Sequence, residues 1–352
     1  MPSLPVVAAL VQAGVDVTFH TTPAFRAMVE PTGARVAEYP ASFARLSGNS
    51  NDLQAHVRRL AEINDTVAPS LASGPHADLV VHDASAAWGR AVAHRWGRPT
   101  AVSVTTFVFT RSMLRMIGDT AWMTDADVDT LATTGDLKVV YTSRVFQPAG
   151  AFLDDSHLFV GPLLEHRRRD GARVAPEGSR PLAYVSLGTI YNQNVSMLRA
   201  LAARLSDAGW QVVVSLGSEA ATAGGEWPPH VRAFGFIDQL SVLEHARLVV
   251  SHGGLQTVTE SLAQGVPLIV IPQDVDQHLV GQRAAGLGAA IKLDEKTPGM
   301  DTFDAAVGRI AAEGERFAAA AAAIGRSFGD GVPLAAAVQR MIGLAATASR
   351  SA

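Results

Sequence analysis

Residues 249–277 confine the chain to a narrow set of folds. An apolar run ends at Ser251, a glycine turn follows at His252-Gly253-Gly254, Thr257–Gln264 has helical spacing, and a second apolar run spans Leu268–Ile271. A strand, a crossover helix and another strand in direct succession give a parallel pair, because only parallel strands need such a crossover. The turn carries its own chemistry. Gly253 and Gly254 can adopt positive φ and admit a ligand close to the backbone, since no Cβ intervenes. Gln256 and Thr257 stand where the helix begins, so free N–H groups and the positive dipole end converge there. Such a place favours an anion, phosphate above all. His252 adds a donor beside the turn, Glu260 can accept hydroxyls one turn further on, and Asp276 and Gln277 follow the second strand.

The same alternation runs along the whole chain. In the first half, Pro5–Ala13 reads as a helix stopped by Gly14 and Val15–Phe19 as a strand. Thr22 and Pro23 open a helix, and Leu53–Leu71 continues the helical spacing. Leu79–Val81, Thr100–Val104 and Val139–Thr142 read as strands, the last closing this half, with a helix at Ala86–Trp96. Residues 163–180, rich in Arg, Gly, Pro and Glu, read as a linker. The second half repeats the pattern with strands Ala183–Leu187, Gln211–Ser215, Val231–Phe234 and Leu248–Val250 and helices Met197–Ala208 and Leu240–His245. An alanine-rich helical tail begins near Phe303. Strand–helix alternation of this kind predicts α/β domains with parallel sheets covered on both faces.

Composition narrows the function. A chain of 352 residues suggests two domains, and 48% hydrophobic with 18% charged residues fits ordinary globular packing. A net charge of −4 argues against a general nucleic-acid binder, which needs excess Lys and Arg. With no cysteine there is neither a disulfide nor a thiolate nucleophile. The start lacks a signal-peptide pattern and no apolar stretch reaches spanning length, so a cytoplasmic protein without membrane insertion is expected. Composition is silent on oligomeric state.

The 249–277 segment resembles the donor-binding signature of nucleotide-sugar glycosyltransferases of the GT-B fold, especially bacterial ones acting on macrolides and other natural products. Tyr184–Thr189, Gly235–Leu240 and Val242–His245 resemble further donor-domain motifs; Leu79–Asp83, Ser103–Phe107 and Tyr141–Pro148 resemble amino-terminal ones. The resemblance implies two Rossmann-like, doubly wound domains facing a central cleft. It divides the chain into an acceptor domain (1–162), a linker (163–180), a donor domain (181–330) and a final helix (331–352) crossing back to the first domain. It implies a hexose or deoxyhexose moved from a UDP- or dTDP-sugar to a hydroxyl of an apolar small molecule, with inversion and without a metal or other cofactor. Asp274 and Asp276 have metal-motif spacing, but the resemblance assigns Asp276, with Gln277, to the sugar hydroxyls. It assigns His252, Gly253, Gly254, Gln256 and Thr257 to the diphosphate and Glu260 to the ribose. Phe236 and Gln239 go to the base, and Ser186 and Thr189 to the first donor loop. Asn192 and Gln193 are weaker candidates.

The chain departs from the resemblance at its start. Relatives open with a strand and a Gly-His loop whose His is the general base; here Met1 falls after that loop. Asp83 matches the carboxylate that orients this base, but its partner His is missing, and capping of the next helix explains Asp83 equally well. His20 and His82 are substitute bases to be weighed, although adjacent extended residues such as His82 and Asp83 face opposite ways. Loss of a central strand would leave parallel neighbours unpaired. An upstream start, a differently closed sheet and lost catalysis all remain open. A short stretch between Phe109 and Lys138 also implies a reduced acceptor wall. A catalytically impaired sugar-nucleotide-binding relative and a sugar-nucleotide epimerase are the competing readings; a flavodoxin-like module ranks last, for want of a G-x-G-x-x-G turn.

Overall fold

The computed structural model describes residues 1–39, 43, 53–115, 122–148, 153–166, 171–188, 195–217, 224–294 and 296–349. Two compact units emerge: residues Met1–His166 with Gly329–Ala352, and residues Arg167–Phe328. Both are α/β with parallel sheets.

The Arg167–Phe328 unit holds six strands: β7 (Leu182–Ser186), β8 (Gln211–Ser215), β9 (Val231–Phe234), β10 (Ala246–Ser251), β11 (Leu268–Val270) and β12 (Ala290–Lys292). Their order is β12-β11-β10-β7-β8-β9 and every pairing is parallel. The chain therefore builds outward from β7 to β9, then returns to the other side of β7 with β10. The β7–β10 junction is the topological switch point, and crevices for ligands form beyond the carboxyl ends of such a pair. Every residue of β7 is buried, as a central parallel strand requires. Helix Val195–Asp207 buries Leu198, Leu201, Ala202 and Leu205, a helical stripe, against Val212, Val214 and Phe303. Each such leucine or phenylalanine contributes about 1.5–3 kcal/mol by leaving water.

The first unit is built from β1 (Thr18–Thr21), β2 (Arg35–Glu38), β3 (Val80–Asp83), β4 (Thr100–Val104), β5 (Leu137–Val140) and β6 (His157–Phe159). These form two sheets, β1-β2 and β3-β4-β5-β6. Helix Leu53–Ala72 sets Leu60, Ile63 and Val67 on one face, packed against Trp88 and Val92 of helix Ala87–Trp96. The latter stops at Gly97, whose φ of +63° is a left-handed C-cap. The carboxy-terminal helix Leu334–Ser349 places Ala337, Val338 and Met341 in the core of this unit beside Val6, Leu10, Ala101 and Val139.

Several sequence expectations need correction. The 163–180 segment is no free linker: Leu164–His166 is a 3-10 turn of the first unit, Ala172 bridges Ile237, and Glu177 pairs with Arg232 in the second. Thr22 and Pro23 lead into a single 3-10 turn, Pro23–Phe25, and the short helix Arg26–Val29. Strand β6, not Val139–Thr142, closes the first half, and β2 and β12 were not anticipated. Among the described residues no helix is long and apolar enough to cross a membrane.

Candidate functional site

The turns beyond β7 and β10 lie side by side because Ser186 and Ser251 are register partners. Both turns are closed in the same way. The Ser186 hydroxyl accepts from Gly188 N at 3.4 Å, and the Ser251 hydroxyl accepts from Gly253 N at 3.2 Å. Each glycine takes positive φ, +84° at Gly188 and +92° at Gly253. Two Ser-x-Gly turns in tandem thus end the two strands of the switch point, each serine oxygen accepting within its own turn. Ser251 and this pairing went unnoticed in the sequence, although the repeated Ser-x-Gly after an apolar run is the visible signal.

Gly254 has φ of −58°, so the expectation of positive φ holds only for Gly253. Gly254 is needed for space instead: a Cβ there would stand 2.6 Å from His252 Nε2. A Cβ on Gly188 would stand 2.7 Å from His252 Cε1. The imidazole of His252 is therefore seated between two glycines. Burial pushes its pKa down to about 4, opposed by a hydrogen bond to the Ser186 backbone. At neutral pH His252 is uncharged, so it contributes no positive charge of its own to the turn.

Helix Leu255–Ala263 follows with Gly254 as N-cap and no side-chain cap. Its first intrahelical bond runs from Val258 N to Gly254 O, which leaves the amides of Leu255, Gln256 and Thr257 outside the ladder. These donors and the helix dipole supply the anion-favouring field that the sequence implied. Glu260 lies one turn further on and is fully buried, which rules out an exposed surface acid. Its Oε2 accepts from Gln239 Nε2 at 2.6 Å.

Phe236 is 67% exposed, so it is not a core residue, and an open ring on this loop remains available for stacking. Asp238 is buried and caps helix Gln239–Leu243 by accepting from Ser241 N. Asp276 and Gln277 are not loop residues: they lie in the first turn of helix Val275–Gly286. Gln277 Oε1 accepts from Gln273 N at 2.8 Å, so this amide braces its own turn. Gln277 also backs the glycine turn, since a Cβ on Gly253 would stand 3.0 Å from its carbonyl oxygen. Burial and the Asp274 charge raise the pKa of Asp276. Thr189, Asn192 and Gln193 lie outside the described residues.

In the first unit Asp83 ends β3. Its Oδ2 accepts from the Thr105 hydroxyl at 2.8 Å and its Oδ1 from Ser85 N at 2.9 Å. The following helix begins at Ala87 and takes no side-chain cap, so Asp83 closes a local turn rather than capping that helix. Burial raises its pKa against those hydrogen bonds. His82 points to the opposite face, packed against Gly89 of helix Ala87–Trp96, with Nδ1 at 2.9 Å from Asp83 O. That orientation removes it as a base. His20 is exposed on β1, its ring centroid 6.0 Å from that of Tyr39.

Comparison with known proteins follows the same lines. Residues 199–339 match the family model described as Erythromycin biosynthesis protein CIII-like, C-terminal domain. The NDP-glycosyltransferase YjiC of Bacillus subtilis (strain 168) is 27% identical over 345 residues, covering 89% of this chain and 86% of that protein. The oleandomycin glycosyltransferase of Streptomyces antibioticus is 28% identical over 328 residues, covering 83% and 76%. The crystal structure of the calicheamicin glycosyltransferase CalG4 superposes with a TM-score of 0.80 at 26% identity, covering 97% of this chain and 94% of that one. Along almost its whole length the chain is similar to GT-B natural-product glycosyltransferases. Its glycine turn, uncapped helix start and buried Glu260 lie at the switch point of the Arg167–Phe328 unit.

Proposed function

We propose that this glycosyltransferase moves a hexose or deoxyhexose from a UDP- or dTDP-sugar to a hydroxyl of an apolar small molecule, inverting the anomeric carbon. In that reaction the acceptor oxygen forms a bond to the anomeric carbon as the bond to the donor diphosphate breaks. The acceptor proton leaves to a base, and negative charge gathers on the departing diphosphate. The observation that carries the reading is the uncapped helix start at Leu255–Thr257 beside two positive-φ glycine turns. Amides fixed there before the reaction stabilise the leaving diphosphate without reorganising, which is electrostatic preorganisation. No metal is required in this reading; adding a chelator should leave donor affinity unchanged.

Within it, Phe236 stacks on the base, Glu260 accepts ribose hydroxyls, and Asp276 receives sugar hydroxyls with the help of Gln277. Calorimetric titration with UDP and dTDP, repeated on His252→Ala, tests the assignment. Binding of either nucleotide that weakens at least about tenfold in the variant supports it; failure of the folded protein to bind either would end it. A second reading, binding of sugar nucleotides without transfer, is favoured by the first unit: Asp83 is satisfied by Thr105 and Ser85, and His82 is turned onto Gly89. Binding with no glycoside formed across a panel of hydroxylated aglycones would select it.

A further inference from the structure

The phenol of Tyr184 has no part in the donor contacts above, yet it reaches them through one amide. Tyr184 sits in the middle of β7 and is 1% exposed. Its hydroxyl donates to Gln239 Oε1 at 3.2 Å, and Gln239 Nε2 donates to Glu260 Oε2 at 2.6 Å. Three separate elements meet here: strand β7, the first residue of helix Gln239–Leu243, and helix Leu255–Ala263. The polarity of this chain is fixed by chemistry. A carboxylate only accepts, so the amide must turn its NH2 to Glu260, which leaves its oxygen facing Tyr184 as an acceptor. Tyrosine can fill that position and phenylalanine cannot. Without the phenol, the Gln239 oxygen loses this donor. The amide keeps its NH2 on Glu260 but is anchored at one end only, so the carboxylate is held less firmly.

We infer that Tyr184, acting through Gln239, is a positioning residue that holds the Glu260 carboxylate in the orientation that accepts the ribose 3′-hydroxyl of the donor nucleotide. The inference rests on the donor-site reading above, in which Glu260 is the ribose acceptor. It reassigns Gln239 from base contact to support of the sugar contact, and it makes Tyr184 a determinant of hydroxyl selectivity that touches no ligand.

The test compares each nucleotide with its 3′-deoxy form, UDP with 3′-deoxy-UDP and dTDP with 3′-deoxy-dTDP, by calorimetry on the full chain. The quantity read is the affinity ratio within a pair, which cancels general loosening of the fold. Tyr184→Phe should shrink that ratio about fivefold, the worth of one hydrogen bond, while affinity for the 3′-deoxy form stays within about twofold. Gln239→Met, half-buried and of similar length, should reproduce the loss, and the double variant should lose no more than the larger single one. If Glu260→Ala collapses the ratio but Tyr184→Phe and Gln239→Met keep it, the positioning role is overturned and the donor site stands. If Glu260→Ala leaves the ratio intact, or the wild type binds neither nucleotide, the ribose assignment falls and this inference falls with it.

Discussion

The two units use the same alternation of strand and helix, but only one carries it to a continuous sheet. In the Arg167–Phe328 unit β7 is paired on both sides, with β8 and β10, and is buried throughout. In the other unit, β1 pairs only with β2 and β3 only with β4 among the described residues. The burial follows. Val250 of β10 is fully buried, whereas Val81 of β3 is 43% exposed. What holds the two small sheets together is a helix, Leu4–Gln12. Val7 and Val11 lie with Phe19 and Val36 of the β1–β2 pair, while Val6 and Leu10 lie with Ala101, Val139 and Leu158 of the other sheet. Side-chain packing therefore replaces a backbone ladder at that junction. A ladder bonded on both sides resists local opening better than a one-sided edge does, so the switch-point site rests on the stiffer unit.

The largest expected effect sharpens this contrast. Phe303→Ala empties a fully buried position of the six-stranded unit and should cost about 3–5 kcal/mol. Phe19→Ala, on half-buried β1, should cost about 1–2 kcal/mol. Urea titration of both variants reads the difference, and equal losses would mean that the β1–β2 pair is as firmly embedded as the central sheet.

A smaller effect separates two histidines that each lean on a glycine. Gly188→Ala meets a double obstacle: φ of +84° and a Cβ 2.7 Å from the His252 ring. It should weaken nucleoside diphosphate binding at least about tenfold, a loss of about 1.4 kcal/mol. Gly89→Ala crowds His82 in the same manner but within a helix, so it should lower the melting temperature and leave nucleotide affinity unchanged. Loss of affinity in Gly89→Ala would tie the split unit to the donor site.

Acid acts on both histidines in one direction. Burial is the leading cause that lowers the pKa of His252, to about 4, and it also lowers that of His82. The unfolded chain takes up these protons first, so their contribution to stability is complete above about pH 6.5 and is lost as pH falls through the folded values. Ligand binding has the opposite sign at His252 alone. A bound diphosphate favours the imidazolium, so affinity for a nucleoside diphosphate sugar should rise severalfold between about pH 7 and about pH 5. His252→Gln should flatten that profile, and a profile unchanged in the variant would assign the proton uptake elsewhere.

The legible parts of this chain were those where several local signals coincide. Apolar runs, the Gly253 turn and the helix start after it could be read together. The missed parts were set by distance in three dimensions. Strands β2, β6 and β12 are only three or four residues long, too brief for an alternating pattern to declare itself. Gly254 looked like a turn glycine, but its reason is the neighbouring imidazole. The partners of Gln239, Tyr184 and Glu260, are 55 and 21 residues away along the chain, so no local signal announced them.

The smallest expected effect bears most directly on the open edge. Valine and threonine have nearly the same shape, so exchanging them changes a methyl for a hydroxyl and little else. At Val81, on an exposed stretch of β3, the hydroxyl remains hydrated and the cost should lie within about 0.5 kcal/mol. At Val250 the same change buries a hydroxyl between β7 and β11 and should cost about 1–3 kcal/mol. Urea midpoints at constant m-value read both. If Val81→Thr proves as costly as Val250→Thr, the edge of β3 is covered in solution, and the contrast between a continuous and a divided sheet disappears with it.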